Sequence, residues 1–273
     1  MILMMRKRYW FFIFSITLSS LFLYHCTKNV VTGRKQLSLI PEGELVNMSL
    51  TEYDNFLKQH KRLPDNDLRV VQVRNVGNKI KQAVEKFYQQ KGLSKELELY
   101  KWEFNVVDEN IVNAWCMPGG KVVVYTGILP ITKDDAGLAV VMGHEISHAL
   151  AKHGNERMSQ AMMAQFGQVS LAVALSQKPQ ETRNIFLAAY GVGSGLTLLK
   201  YSRNQEAEAD KMGLVFMAMA GYNPELAIDF WKRMAAQGGQ KPPEFLSTHP
   251  SDETRIKLIQ EFLPEAKRYY QAQ

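Results

Sequence analysis

Two cysteines in 273 residues leave little for covalent cross-linking. Cys26 sits at the end of an apolar N-terminal run, so Cys116 stands alone in the body of the chain and an exported form has no intrachain disulfide to draw on. Long apolar runs are scarce as well. Beyond the N-terminus the most apolar stretches are 161–175 and 185–199, each about 15 residues where roughly 20 cross a bilayer, and Gln165 and Gln168 interrupt the first. They read as a buried helical hairpin, and the lack of several spanning helices excludes a prenyl-peptide protease working in a membrane chamber. A large basic excess is missing too: Arg6, Lys7 and Arg8 supply half of the formal +6, and the +3 left for residues 26–273 argues for no nucleic-acid partner. Repeats and low-complexity tracts are absent. What is present, 46% hydrophobic and 22% charged residues, suits a globular chain with a sizeable core.

The first residues stand apart. Three basic side chains precede WFFIFSITLSSLFLY (10–24), the layout of a signal peptide whose apolar run, about 16 residues, is short for a stable span. Leu23, three residues before Cys26, resembles the lipobox of bacterial lipoproteins, although His25 replaces the usual small residue. Residues 1–25 are therefore expected to be a lipoprotein-type signal peptide, with lipidation at Cys26, or an uncleaved signal anchor. Residues 26–40 read as a polar tether and 41–273 as the folded domain. The expected location is the cell envelope, facing the periplasm and held to a membrane by the N-terminus.

Helical spacing recurs from Pro41 to about Gln59 and from Asp67 to Gln90, where Val70, Val73, Val76, Ile80, Val84 and Phe87 form one stripe closed by Gly92. KWEFNVVD (101–108) alternates, and IVNAWCM and KVVVYTG flank the turn Pro118-Gly119-Gly120, so a small three-stranded sheet with a hairpin is expected. Asp134 and Asp135 suit a helix start, with the helix running to about His153 and mostly helix thereafter. The fold class is α+β, predominantly helical.

Within that helix lies VVMGHEISHALAKHG (140–154). His144 and His148, four apart, stand within about 40° on one helix face and can hold one ion. Glu145 is placed to reach a water on that ion, the arrangement of the H-E-x-x-H zinc peptidases. His153, five residues past His148, lies about 140° around the same helix and is discounted as a ligand. Ala151 and Gly154 stand where the metzincin extension needs Gly and His. In YSRNQEAEADKMG (201–213), Glu206 can complete a His₂Glu site and Asp210, one turn on, can hold a ligand's other ring N–H, whereas Glu208 points to nearly the opposite side. A solvated acidic face is the plainer reading of that segment alone. Cys116 reads as a small packed residue.

TGRKQLSLI (32–40), NAWCMPGGKVVVYTGIL (113–129), GHEISHALAKHG (143–154), SRNQEAEADKMG (202–213) and STHPSDETRI (247–256) together resemble the gluzincin zinc metallopeptidases of the CAAX prenyl protease and HtpX-like family, especially their small periplasmic lipoprotein branch. The resemblance implies a zincin-like domain with the sheet ahead of the active-site helix. It implies one Zn²⁺ on His144, His148 and Glu206, Glu145 as catalytic base, and Asp210 supporting a ligand histidine. It further draws His249, in its S-T-H-P setting, toward the metal, as an oxyanion donor or as a resting ligand that excludes water. Asn113, Ala114 and Trp115 are expected on an edge strand to which an extended peptide adds, Trp115 being equally well a core residue. The implied function is endoproteolysis of unfolded or misassembled polypeptides in the cell envelope, with polypeptide substrates and envelope assembly machinery as partners. A periplasmic chaperone-like factor with a largely structural zinc site is the alternative.

Overall fold

The computed structural model describes residues 26–29, 31–167, 169–192, 202–237, 243–249 and 253–271. The signal segment 1–25, residues 193–199 of the expected apolar hairpin, and Pro250 lie outside them. Among the described residues no helix is long and apolar enough to cross a membrane.

The segment expected as a tether is folded. Strands β1 (Cys26–Lys28) and β2 (Lys35–Leu37) pair antiparallel, and Asn29, Gln36 and Ile40 are buried. Helices α1 (Glu42–Gln59) and α2 (Leu68–Gln90) follow; Asp67 caps α2 by accepting the Arg69 N–H, and the whole apolar stripe from Val70 to Phe87 is buried.

Strands β3 (Glu103–Val107), β4 (Ala114–Met117) and β5 (Lys121–Tyr125) form a sheet in the order β3-β5-β4, with β3 parallel to β5 and β4 antiparallel to it. Both faces are covered, so alternate residues feed two cores. Cys116, Val122 and Val124 join a core with α2 and α4 (Asp135–Leu150), while Trp115, Val123 and Tyr125 join a second with Tyr53 and Phe56 of α1. A short helix, α3 (Leu129–Thr132), leads into α4.

α4 is the central helix. Asp134 accepts the Gly137 N–H at 2.8 Å, and every residue from Gly137 to Leu150 is buried. It stops three residues short of the expected His153, because Lys152 takes the left-handed conformation (φ 59°) and a new helix, α5 (His153–Phe166), starts in a different direction. The expected hairpin is also redistributed: α5 ends at Phe166, then come α6 (Leu171–Gln177) and α7 (Pro179–Ala189).

α8 (Arg203–Met219) opens with a capping box in which Ser202 accepts the Gln205 N–H and Gln205 accepts the Ser202 N–H, so Glu206 sits in the first turn. It runs against α4 where Gly143 meets Gly213: a Cβ added to Gly143 would lie 3.0 Å from the Gly213 carbonyl oxygen. α9 (Leu226–Ala236), α10 (Glu244–Thr248) and α11 (Glu253–Lys267) close the structure. The fold is α+β and predominantly helical.

Candidate metal centre

The close crossing of α4 and α8 brings His144 and His148 against Glu206, and His249 enters from the end of α10. His144 Nε2 is 3.0 Å from His148 Nε2 and 3.2 Å from His249 Nδ1. Glu206 Oε1 lies 3.2 Å from His148 Nε2 and 3.0 Å from His249 Nδ1. One ligand atom from each of these four residues falls within 4.8 Å of the others, and all four side chains are buried. Glu145 adjoins the cluster, with Oε1 3.4 Å from His249 Nε2.

The charges around the cluster favour a cation. Burial opposes a proton on His144, yet the Asp210 carboxylate, 2.9 Å from its Nδ1, prevails and lifts it to about 9. Burial holds His148 well below the ordinary histidine range and His249 down at about 4, leaving both as neutral imidazoles, the form that ligates metal. Glu145 Oε1 is buried without a hydrogen-bond partner among the described residues. Two ring nitrogens, a third from His249 and a carboxylate, all converging from buried side chains, are a nitrogen-oxygen donor set that fits zinc.

Arg255 of α11 was not singled out from the sequence and is central here. Its Nη1 meets Glu206 Oε2 at 2.8 Å, its Nε and Nη2 grip Asp210 at 2.7 and 2.8 Å, and its guanidinium lies 3.4 Å over the Trp231 ring. The signal was a pair of carboxylates on one apolar helix face, which demand a buried counter-charge; nothing local says that residue 255 supplies it.

His153 and Glu208 also differ from expectation. The break at Lys152 carries His153 out of the α4 register, so its Nδ1 lies 2.9 Å from His148 Nδ1 instead of facing elsewhere. Glu208 does face away from Glu206, but into the protein: it accepts from His153 Nε2 at 2.9 Å, from Arg34 Nε at 2.6 Å and from the Thr32 hydroxyl. Burial works to raise its carboxyl, and those three hydrogen bonds outweigh it and hold Glu208 at about 2.

β4 is the outermost strand of its sheet, which places Ala114 and Trp115 on that edge and Asn113 immediately before it. The Trp115 side chain, however, points into the second core, 5.0 Å from Phe56, and does not face the cluster; alternation along the strand turns it there. Asn113 donates to Glu244 Oε1 at 2.9 Å, and the Phe245 N–H reaches the Val112 carbonyl at 3.1 Å, so α10 lies across the start of this edge. Cys116 is packed in the core.

A sequence model described as Peptidase family M48 matches residues 75–263. The mitochondrial metalloendopeptidase OMA1 of Saccharomyces cerevisiae is 32% identical over 264 residues, covering 92% of this chain and 73% of that one. OMA1 of Schizosaccharomyces pombe is 40% identical over 169 residues, 61% of this chain and 48% of that one. The β-barrel assembly-enhancing protease of Yersinia pestis is 28% identical over 160 residues, 57% and 33%. The chain thus spans about half the length of the S. pombe relative and a third of the Y. pestis one. The first two likenesses are to proteins named as mitochondrial, which overturns the periplasm-facing cell-envelope location expected from residues 1–26. The match runs through more than half of the residues and encloses the buried His-His-Glu cluster, and on that ground the chain belongs to peptidase family M48.

Proposed function

We propose that the protein is a zinc-dependent endopeptidase that cleaves extended segments of unfolded or misassembled polypeptide, with Glu145 as general base. The observation that carries this reading is Glu145 itself. Four ligands could serve a structural ion, but a buried carboxylate beside them, with one oxygen that makes no hydrogen bond and only a 3.4 Å contact with His249, suits a general base, which disfavours the chaperone-like alternative. His144, His148 and Glu206 would hold the zinc, which would supply Lewis acidity at the scissile carbonyl and the attacking water. Burial, partly offset by His144, pushes the Glu145 carboxyl up to about 8, which makes its carboxylate form a stronger base toward the water's proton and lets the acid so formed return that proton to the leaving amine. Asp210 orients His144.

Substrate recognition is assigned to the β4 edge at Asn113 and Ala114, through main-chain hydrogen bonds. In the structure α10 occupies the start of that edge and delivers His249 to the cluster, which supports His249 as a resting ligand over an oxyanion donor. Action beside an assembly machine draws its support only from the name of the Yersinia relative.

The test is proteolysis of an unfolded model protein by the full chain. Glu145→Gln should bind about one zinc per chain and cleave nothing; cleavage near the wild-type rate would remove the base and the peptidase reading. His249→Ala should raise basal cleavage with zinc retained. A fall in kcat of about 10² to 10³ would make it the oxyanion donor instead.

A further inference from the structure

His148 turns Nε2 to Glu206 and His144, so its other nitrogen, Nδ1, faces outward to His153 Nδ1. Two imidazole nitrogens 2.9 Å apart share one proton, one donating and the other accepting. A metal on Nε2 requires a neutral His148 ring with its proton on Nδ1. His153 must then accept at Nδ1 and carry its own proton on Nε2, where Glu208 Oε2 receives it at 2.9 Å. Arg34 Nε, 2.6 Å from Oε2, and the Thr32 hydroxyl on Oε1 complete the shell of Glu208. Every bond in this line has a single permitted direction.

The outer end of the line lies in the turn between β1 and β2, outside the stretch matched by the family model. Arg34 is fixed there by a second carboxylate, Glu156, at 3.0 and 2.8 Å, and Glu156 accepts in turn from Gln205 in the first turn of α8 at 2.7 Å. The hairpin is therefore tied at once to α5, which bears His153, and to α8, which bears Glu206.

We infer that the N-terminal hairpin is part of the metal site's scaffold: Thr32 and Arg34, acting through Glu208 and His153, set the tautomer and orientation of His148. These four are positioning residues. The inference rests on His148 being a zinc ligand, and it differs from simple docking of the hairpin in requiring that zinc affinity respond to the line and not to hairpin packing as such.

The experiment uses the full chain and reads two properties, the zinc dissociation constant by competition with a chromophoric chelator and the visible spectrum of the cobalt-substituted protein. Arg34→Ala, Glu208→Gln and His153→Phe should each weaken zinc by about 10- to 100-fold and change the cobalt bands. His153→Gln, which keeps a donor and an acceptor, should recover part of the loss. Ile40→Ala removes buried apolar contact beside the hairpin without touching the line; it should lower Tm and leave zinc affinity within about twofold. Thr32→Val serves if Arg34→Ala does not fold, with a smaller loss expected. Unchanged affinity and spectrum across the line variants, or an equal loss in Ile40→Ala, overturns the inference. A wild-type chain that binds no zinc overturns the metal-site reading itself, and this inference with it.

Discussion

Arg255 shows how one residue can decide whether a site is possible. Glu206 and Asp210 are both buried, and both lie against its guanidinium. Burial would raise the two carboxyls; the Arg255 charge is among the influences that instead hold Glu206 well below the carboxylate range and Asp210 below it as well. Arg255→Met would leave that pair without its fixed counter-charge, at a cost of about 3–5 kcal/mol, together with a loss of zinc affinity. Urea unfolding and zinc titration would check both. Arg255→Lys should recover only part, because an ammonium cannot reproduce the two-pronged contact with Asp210. Equal stability in the methionine variant would mean that the carboxylates are neutralised by other means.

At the scale of elements, the metal cluster depends on how closely α4 and α8 approach. Gly213 allows it, since an added Cβ would lie 3.0 Å from both the Gly143 carbonyl carbon and the His144 nitrogen. Backbone atoms cannot swing aside as a side-chain tip can, so Gly213→Ala must push the helices apart and separate His144 from Glu206. The expected result is about 1–3 kcal/mol of destabilisation and weaker zinc binding, read by thermal melting and metal titration. An added methyl far from the crossing, as in Gly43→Ala, meets nothing within 4 Å and should leave zinc binding unchanged.

For the whole molecule, the candidate metal cluster gathers residues far apart in sequence, from α4, α8 and the end of α10. Because the unfolded chain holds no such arrangement, zinc binding adds directly to folding stability. Free zinc at a hundred times its dissociation constant contributes about 2.7 kcal/mol. Chelation should then lower Tm by roughly 5–10 °C for a domain of this size. Differential scanning fluorimetry with zinc or magnesium restored would check this; recovery with magnesium as readily as with zinc would speak against a nitrogen-rich site.

Local signals marked the first two long helices, the three-stranded sheet and the start of the motif helix, and they marked the chemistry of the motif. The stripe from Val70 to Phe87, the Asp134 cap and the alternation through Trp102, Phe104 and Val106 are written in short-range signals, and the i, i+4 pairs His144/His148 and Glu206/Asp210 define faces through helix geometry alone. What the sequence could not decide was anything that turned on where one element meets another. The helix expected to reach His153 ends at Leu150 because Lys152 changes the chain's direction, and that break makes His153 a neighbour of His148. The segment read as a tether is a hairpin whose Arg34 finds two buried carboxylates 122 and 174 positions away. Arg255 had no local mark at all. Buried charges are placed by the partners that compensate them, and only the tertiary structure says which partners those are.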